Sequence, residues 1–352
     1  MPQPRDRSNQ VLVGSVPIGG GAPVAVQSML CVPTTNTVAC LEQIEALAAL
    51  GCEIIRVAVP STEALPSFGQ ICKGSALPVV ADIHFDHQLA LGAVAQGAAK
   101  LRINPGNIGS WDKVDAVIDA AGAAGIPIRI GVNAGSLAPE YAERADMSIT
   151  DKLVASATAF VRHFEQRGFA QLVLSAKAHD VATTLATYRR LAQELPQIPL
   201  HLGVTEAGTL TQGTVKSSVA LGVLLLEGIG DTLRVSLTAG VQHEVQVAWE
   251  LLAATGLRRR GPELVSCPTC GRCQVDLIAL ANEVQARLQQ VSKPLSVAVM
   301  GCVVNGPGEA ASADVGVACG AQKGAIFSQG KVLYTVPEAQ IVDALFAEIE
   351  QL

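Results

Sequence analysis

The sequence predicts an α/β protein in which an N-terminal barrel of eight strand–helix repeats is followed by a small α/β domain. Eight short runs rich in Val, Ile and Leu alternate with Ala- and Leu-rich helical segments between about residues 24 and 237. Such runs are typical of parallel strands that are buried on both faces. Eight repeats of similar length favour a closed (β/α)8 barrel of the TIM type over an open, doubly wound sheet, which is the alternative architecture.

The predicted elements follow one another in chain order. The opening segment QVLVGSVPIGGGAP predicts a hairpin that closes the bottom of the barrel. The predicted barrel strands are 24–29, 54–60, 78–85, 100–106, 127–133, 171–177, 200–206 and 232–237. The repeats end near Pro262, so we place the barrel domain at 1–260 and the second domain at 261–352. The second domain contains a helix, a strand (LSVAVMGC), a Gly/Pro loop (VVNGPGEAA), further short strands and a terminal helix.

Composition excludes several classes of protein. No apolar run reaches the roughly 18 residues that a membrane span needs, and the polar start MPQPRDRSNQ lacks the apolar region of a signal peptide. We therefore expect a cytoplasmic protein that does not bind membranes. A net charge of −6 and 3% aromatic residues argue against nucleic-acid binding. Nine unevenly spaced cysteines indicate a metal site plus buried thiols rather than a disulfide framework.

Cations interrupt the apolar strand runs, where we place them near the carboxyl ends of the strands. They are Arg56, Arg102, Arg129, Lys177 and Arg234. Active sites of such barrels lie at this end, and cations that converge there repel one another unless they neutralise an anion. Because Arg suits bidentate phosphate contacts, the pattern predicts a phosphate-bearing substrate. The alternative is a structural network in which each cation pairs with a carboxylate.

Uncharged and acidic polar residues occupy the same strand runs. They include Asp82, His84, Asn133, His201, Glu206 and Ser236. Glu206 closes the seventh predicted strand and can act as an acid/base group or balance charge. His84 and His201 can be hydrogen-bonded pocket residues or proton carriers, and Asp82 can orient one of them.

The segment SCPTCGRC carries three cysteines, Cys267, Cys270 and Cys273, on a turn formed by Pro and Gly. The CPTCG part is a metal knuckle, but zinc ribbons use two knuckles and only one is present. No His lies beyond His243, so a two-Cys, two-His site within this domain is excluded. The remaining ligand candidates are Cys273, Cys302, Cys319 and a carboxylate.

Cys302 follows a predicted strand in MGCVVNGPGE, a loop whose backbone N–H groups can donate to cluster sulfides. Three thiolates suit a [4Fe–4S] cluster whose fourth iron has a weak ligand or none. With Cys273 the spacing becomes C-x2-C-x2-C, as in bacterial ferredoxins, which indicates an electron carrier instead. The residues leave both possibilities open. We interpret Cys31, Cys40, Cys52 and Cys72 as small buried hydrophobes.

Long motifs give the sequence a resemblance to a known family. They are PIGGGAPVAVQSM, VADIHFD, LRINPGNIG, IPIRIGVNAGSL, LGVTEAG, GIGDTLRVSL, CPTCGR and MGCVVNGPGEA. Over nearly the whole chain the sequence resembles the (E)-4-hydroxy-3-methylbut-2-enyl-diphosphate (HMBPP) synthases of the non-mevalonate (MEP) isoprenoid pathway, the GcpE/IspG family. It is similar to the short bacterial form, which has a barrel followed by an iron–sulfur domain and no extra middle domain.

The resemblance implies a cofactor and a reaction. The cofactor is one [4Fe–4S] cluster per chain, held by Cys267, Cys270, Cys302 and Glu309. Cys273 departs from the family pattern and is interpreted as a nearby free thiol. The implied enzyme is an oxidoreductase that opens and reductively dehydrates 2-C-methyl-D-erythritol 2,4-cyclodiphosphate to HMBPP. Two electrons come from reduced flavodoxin or ferredoxin.

The resemblance also implies roles for the barrel residues. The five cations hold the diphosphate, with His84, Asn133 and Ser236 as further substrate contacts. Glu206 delivers a proton to the departing hydroxyl group, and Asn305 touches substrate. The cluster domain follows the last barrel helix, which ends at the bottom of the barrel, whereas the phosphate site is at the top. The resemblance implies a head-to-tail homodimer, in which each cluster domain caps the partner's barrel, and such a dimer would resolve this distance.

Two rival classes predict different observations. The first is a phosphate-binding barrel enzyme, such as an aldolase or isomerase, with a structural zinc domain; it needs no iron. The second is an electron-transfer protein that binds its cluster through Cys267, Cys270, Cys273 and Cys302. That protein would retain an unchanged cluster after Glu309 is replaced by Ala.

Overall fold

The computed structural model describes residues 4–135, 137, 139–302, 310 and 312–352. The chain divides into two units, Met1–Arg258 and Arg259–Leu352. The first is a barrel and the second is a five-stranded sheet with helices, so the predicted fold class is confirmed.

The barrel wall consists of eight parallel strands in the order β8-β7-β6-β5-β4-β3-β10-β9. Their bounds are β3 (Ala25–Met29), β4 (Ile54–Ala58), β5 (Val79–Asp82), β6 (Lys100–Ile103), β7 (Ile128–Asn133), β8 (Leu172–Lys177), β9 (His201–Leu202) and β10 (Thr232–Leu233). A parallel bridge between Leu174 and Leu200 joins the two ends of the sheet and closes the barrel.

Helices surround the barrel strands. Their bounds are α1 (Thr37–Ala49), α2 (Leu65–Gly74), α3 (His87–Ala95), α4 (Pro105–Ile108), α5 (Trp111–Ala124), α6 (Pro139–Ala142), α7 (Ile149–Gln166), α8 (Val181–Glu194), α9 (Leu210–Leu226) and α10 (Val241–Ala254). Side chains that accept a backbone N–H fix the starts of α1, α3 and α8, namely Asn36, Asp86 and Asp180. Helix α7 begins with a capping box between Ser148 and Asp151.

A hairpin precedes the barrel, as predicted, and is formed by β1 (Val11–Val13) and β2 (Val16–Ile18). Its buried side chains pack against four residues from the first or second positions of barrel strands: Ala25, Ile54, Val80 and Val173. These contacts place the hairpin at the amino ends of the strands. The bottom of the barrel is therefore sealed by aliphatic side chains.

The last two barrel strands are shorter than predicted. Strand β9 ends at Leu202 and β10 at Leu233, so the predicted ends at 206 and 237 are wrong. Glu206 lies in the loop after β9 with a φ of 54°, a left-handed conformation that cannot continue a strand. Gly203 directly follows β9, and a Cβ there would lie 2.5 Å from Lys177 Nζ. The chain leaves the sheet at this close approach.

The second unit contains a mixed sheet in the order β11-β12-β13-β14-β15. The bounds are β11 (Glu263–Ser266), β12 (Ser296–Met300), β13 (Val315–Gly320), β14 (Lys323–Ser328) and β15 (Lys331–Pro337), with helices α11 (Leu277–Leu288) and α12 (Ile341–Gln351). Strands β11, β12 and β13 are parallel, and β14 and β15 are antiparallel. Helix residues Val284 and Leu345 pack with Val299 and Val317 of the sheet in one apolar core.

No helix in the described ranges has both the length and the apolar composition that a membrane crossing requires. The cytoplasmic location stays a prediction. Of the four barrel cysteines interpreted as buried, Cys40 and Cys52 are buried and Cys72 is partly buried, but Cys31 is exposed. The interpretation of Cys31 is wrong because its segment lies at the surface, where Gln43 Nε2 donates to its Sγ at 3.0 Å.

Ionisation of Asp231 is expected to make the stability of the barrel depend on pH. Its carboxylate accepts hydrogen bonds from Ser8 Oγ at 3.0 Å and Leu200 N–H at 2.7 Å, and burial raises its pKa to about 6. The folded pKa lies above the unfolded value of about 3.9. The stabilisation is therefore complete below about pH 4 and is lost as pH rises through about 6.

We expect Asp231→Asn to be more stable than the wild type at pH 8, by about 2 to 3 kcal/mol, and by less at pH 5. Thermal unfolding at both pH values measures this difference. The matched control is Asp119→Asn, which removes an exposed carboxylate. An Asp231→Asn effect that is equal at the two pH values would contradict the assignment.

Candidate active site

Asp82, the last residue of β5, organises the cations inside the barrel. Arg102 Nη1 donates to its Oδ1 at 3.1 Å, and Arg56 Nε lies 3.8 Å from its Oδ2. His84 Nε2 lies 3.3 Å from Oδ2 and also 3.3 Å from Arg102 Nη1. One carboxylate thus holds two guanidinium groups and an imidazole, and of the two histidines it is His84 that Asp82 orients.

The electrostatics of this cluster favour ionised Asp82. Burial acts to raise the pKa of Asp82, but the Arg56 charge, the His84 hydrogen bond and the Arg102 charge together lower it. Burial lowers the pKa of Arg56 to about 10, opposed by Asp82 and assisted by Arg234 and Arg102. Both groups therefore remain charged at neutral pH.

Arg234 has a carboxylate partner of its own. Its Nη2 lies 3.3 Å from Glu244 Oε2 of α10. The thioether of Met29 lies between two of the cations: Arg56 Nη2 donates to Sδ at 2.7 Å, and Arg234 Nη1 lies 3.7 Å from it. Arg56, Arg102 and Arg234 thus each have a carboxylate partner, and whether they also bind an anion stays a prediction.

Arg129 and Lys177 form no ion pair with any residue that the structure describes. Arg129 is only 1% exposed, and its Nε and Nη1 have no hydrogen-bond partner there. Burial lowers the pKa of Arg129 well below its usual value, and the charges of Arg56 and Arg102 lower it further. Lys177 is buried among the same cations, with the same effect on its pKa. Buried donors without acceptors are costly, so this part of the barrel favours a bound anion.

Two of the predicted polar positions lie deeper than expected. Arg129 is the second residue of β7 and His201 the first of β9, so their expected place near the carboxyl ends of the strands is wrong. Side chains alternate along a strand, which puts Arg129, Gly131 and Asn133 on one face. A Cβ at Gly131 would lie 2.6 Å from Arg102 Nε. Gly131 therefore provides the space in which the Arg102 guanidinium lies.

The other predicted barrel residues surround this cluster to different extents. With its amide oriented to satisfy both groups, Asn133 accepts from Arg102 Nη2 at 3.3 Å. The His84 side chain is 49% exposed. Ser236 is partly buried in the loop after β10, and Glu206 is exposed. The structure thus joins His84 and Asn133 to the cations and gives no contact for Glu206 or Ser236 within the described ranges.

The sequence interpretation missed several residues of this interior. Lys100 is fully buried, its Nζ has no partner among the described residues, and the charges acting on it are those of Arg129 and Arg56. Lys100 stands two positions before Arg102 on the same strand face, a spacing that could have revealed it. Met29 and Glu244 gave no such signal, because only the folded barrel brings them beside Arg234.

The cysteines of the second unit occupy the carboxyl ends of its parallel strands. Cys267 directly follows β11, and Cys302 lies two residues after β12. Cys273 N–H donates to the Cys270 carbonyl at 2.9 Å, which closes the turn of the knuckle. Gly301 N–H donates to Cys267 Sγ at 3.2 Å. The knuckle and the Cys302 segment are therefore in direct contact.

A cavity of about 80 Å³ lies between these segments. It is lined by Cys267, Pro268, Cys270, Arg272, Cys273, Gly301 and Cys302. Within the described residues, no three His, Cys, Asp or Glu side chains are arranged to hold a single metal ion. A lone zinc ion needs every thiolate about 2.3 Å away, whereas a four-iron cluster binds each thiolate at a different iron. Four thiols, those of Cys267, Cys270, Cys273 and Cys302, thus line one cavity, and thiolates suit both zinc and iron–sulfur clusters.

Three predicted site residues remain. Cys319 is the penultimate residue of β13, and burial raises the pKa of its thiol to about 12, with the neighbouring Cys273, Glu338 and Cys267 adding to the effect. Glu309 and Asn305 lie outside the described residues.

A barrel with unbalanced buried cations, followed by a unit whose cysteines line one cavity, defines a class of anion-binding barrel enzymes with a metal centre. Residues 8–249 match the family model described as the GcpE TIM-barrel domain. Residues 263–351 match the one described as the GcpE protein C-terminal domain. The chain belongs to the GcpE family, and the resemblance found in the sequence is confirmed.

Two relatives illustrate the similarity. One, from Geobacter sulfurreducens, is 52% identical over 346 residues, which cover 98% of each chain. Another, from Salinispora tropica, is 53% identical over 350 residues, which cover 99% of this chain and 90% of the relative. Both carry the name 4-hydroxy-3-methylbut-2-en-1-yl diphosphate synthase (flavodoxin).

Two solved structures resemble part of this chain. A dihydropteroate synthase from Coxiella burnetii has a TM-score of 0.51 at 12% identity and covers 71% of this chain and 100% of its own. The enzyme from Vibrio fischeri has a TM-score of 0.50 at 15% identity and covers 71% and 99%. At these identities the likeness concerns the fold.

Proposed function

We propose that this chain is an HMBPP synthase of the MEP pathway. It opens the ring of 2-C-methyl-D-erythritol 2,4-cyclodiphosphate, removes water and releases (E)-4-hydroxy-3-methylbut-2-enyl diphosphate. The observation that carries the proposal is the pair of buried cations, Arg129 and Lys177, which form no ion pair with any described carboxylate and lie among other cations. It occurs in a chain about half identical, over nearly its full length, to relatives named for this activity.

The donor we propose is reduced flavodoxin, because both relatives are named for it. The reaction consumes two electrons and one proton and releases water. The rival hypothesis, a barrel enzyme with a structural zinc domain, is not favoured, because both relatives are named as flavodoxin-dependent synthases and a structural zinc domain has no use for an electron donor.

The barrel domain would bind the diphosphate. Arg129 and Lys177 supply uncompensated charge, while Asp82 holds Arg56 and Arg102 in fixed positions. Glu244 does the same for Arg234. Such preorganised cations stabilise developing phosphate charge without rearranging during the reaction. Further proposed substrate contacts are His84, Asn133, Ser236 and Asn305.

The second domain would hold one [4Fe–4S] cluster through Cys267, Cys270, Cys302 and Glu309. When bound, such a cluster supplies electrons one at a time. The Gly301 N–H that donates to Cys267 Sγ would tune the reduction potential, as hydrogen bonds to cluster sulfurs do. The buried position of Cys302 would limit access of water to that side of the site.

The function is tested on anaerobically purified protein by iron and sulfide content, EPR of the dithionite-reduced form, and turnover of the cyclic diphosphate with reduced flavodoxin. We expect a [4Fe–4S] signal that changes when the cyclic diphosphate is added, together with formation of the linear diphosphate. A colourless protein that contains zinc, or a cluster signal indifferent to the cyclic diphosphate in an inactive protein, would refute the proposal.

Glu206 is the proposed proton donor to the departing hydroxyl group. We expect Glu206→Gln to lower turnover by about 10²- to 10⁴-fold, the usual contribution of general acid catalysis, and to leave the EPR spectrum of the cluster unchanged. Phosphorus NMR of the products measures the rate. Glu227→Gln is the control, because Glu227 pairs with Arg189 on the outside of the barrel. A fully active Glu206→Gln variant would remove Glu206 from the mechanism.

We further propose that the active enzyme is a head-to-tail homodimer in which each cluster domain serves the partner's barrel. Mixing an Arg102→Ala chain with a Cys302→Ala chain would then give some dimers with one intact site, so partial activity is expected. Mass spectrometry of differently tagged chains confirms that mixed dimers have formed. Absence of rescue in confirmed mixed dimers would show that each site uses a single chain.

A further inference from the structure

The cysteine cavity contains a thiol that the proposed cluster site does not use. Cys273 lines the cavity together with Cys267, Cys270 and Cys302. Its sulfur lies against the backbone of Gly301, so closely that a Cβ on Gly301 would be 2.7 Å from Cys273 Sγ. The fourth thiol is therefore part of the cavity wall.

Backbone contacts tie Cys273 to the proposed ligands. Its N–H donates to the carbonyl of Cys270 at 2.9 Å. Gly301, against which its sulfur packs, donates its N–H to Cys267 Sγ and directly precedes Cys302. Cys270 is thus hydrogen-bonded to Cys273, Cys267 is hydrogen-bonded to Gly301, and Cys302 follows Gly301 in the chain.

The Cys273 thiol forms a weak local hydrogen bond. It donates to the Val275 carbonyl at 3.3 Å, which requires the protonated form. Binding iron would release that proton and break this hydrogen bond. Cys273 is therefore at a disadvantage against a carboxylate already bound, but a thiol that loses its proton next to a metal becomes a strong ligand.

We propose that Cys273 is a reserve ligand of the cluster, which binds the fourth iron when no other ligand holds it. This inference rests on the proposed cluster of the preceding section. Ligation forms one iron–sulfur bond, and the thiol proton leaves to solvent. No electron is transferred. The iron left open by the three cysteines is thereby retained, so the cluster is protected from conversion to a three-iron form.

The experiment compares three variants of the full chain after anaerobic purification. They are Glu309→Ala, Glu309→Ala with Cys273→Ala, and the matched control Glu309→Ala with Cys72→Ala, which removes a partly buried thiol of the barrel. We expect the first and third to keep a full complement of iron. The second should lose about a quarter of its iron and, after one-electron oxidation with ferricyanide, show the EPR signal of a three-iron cluster.

Alkylation supplies a readout that needs no Cys273 variant. Anaerobic iodoacetamide treatment followed by peptide mass spectrometry should modify Cys273 in the loaded wild type and spare it in loaded Glu309→Ala. Equal modification in both, or equal iron in the single and double variants, would overturn the proposal. Loss of iron from Cys273→Ala alone would also overturn it, because Cys273 would then be a permanent ligand. A wild type without iron would instead refute the proposed cofactor itself.

Discussion

Replacing Arg129 with Met is expected to stabilise the empty barrel and to weaken its binding of inorganic pyrophosphate by about 10- to 100-fold. The guanidinium is buried beside other cations, and two of its nitrogens have no partner in the described part of the chain. Removing an uncompensated buried charge favours folding, whereas a bound diphosphate loses a charged donor. Thermal unfolding and calorimetric titration with pyrophosphate measure the two effects.

Arg162→Met is the control for this experiment, because Arg162 is an exposed residue of α7. It should alter neither unfolding temperature nor pyrophosphate affinity. If Arg129→Met lowered the stability of the barrel and left its pyrophosphate affinity unchanged, Arg129 would have a structural role and would not bind the diphosphate. The diphosphate site would then have to lie elsewhere.

Replacing Asp82 with Asn is expected to cost about 3 to 5 kcal/mol of folding stability, as when one partner of a buried ion pair is removed. The change leaves Arg56 and Arg102 without their shared carboxylate. Pyrophosphate should restore more stability to Asp82→Asn than to the wild type, because it supplies the missing negative charge. Thermal unfolding with and without pyrophosphate tests both statements.

The acid sensitivity of the wild type gives a second test of Asp82. Its pKa in the folded protein is lowered relative to an unfolded value of about 3.9. Its stabilisation is thus present above about pH 4 and lost as pH falls further. Asp82→Asn should lack this component, while the exposed control Asp119→Asn should retain it. If Asp82→Asn and the wild type lost stability equally as the pH fell, Asp82 would not be the charge that balances Arg56 and Arg102.

Much of the barrel could be predicted because its signal is local. Parallel strands buried on both faces form apolar runs, and eight such runs determine the number of strands. The ends of β9 and β10 could not be read in the same way. The predicted strand at 200–206 continues past Gly203, where the backbone closely approaches Lys177 of another strand, and no single segment contains such a contact.

The sequence predicted which cations come together in the barrel but not how they are arranged. All five predicted cations lie close enough together for the other four to lower the pKa of Lys177. No strand pattern, however, indicated that Asp82 would join two of them or that Arg129 would lie near the start of its strand. Depth depends on how neighbouring strands are staggered. The partner Glu244 comes from a helix that packs over the barrel, so no strand pattern could reveal it.

At the cysteine site, in contrast, the spacing of residues in the sequence already indicated which side chains lie together. The spacing of Cys267, Cys270 and Cys273 on one turn indicated the site, and Cys302 was already a candidate ligand. The structure brings the Cys302 segment to the turn through the hydrogen bond from Gly301 N–H to Cys267 Sγ. The role of Glu309 came from family resemblance and stays a prediction, since that residue lies outside the described ranges. The sequence singled out Cys273 as unusual, but only packing against Gly301 gives it a place.

The aliphatic hairpin at the amino end of the barrel sets a direction for inhibitor design. Because Val11, Val13 and Ile18 fill the base of the barrel, a diphosphate mimic anchored on the buried cations cannot be elongated toward that end without displacing the hairpin. Additional groups have room only on the side that faces the carboxyl ends of the strands. Potency should therefore be sought by growing such molecules outward, and the aliphatic base can serve as a fixed reference for docking them.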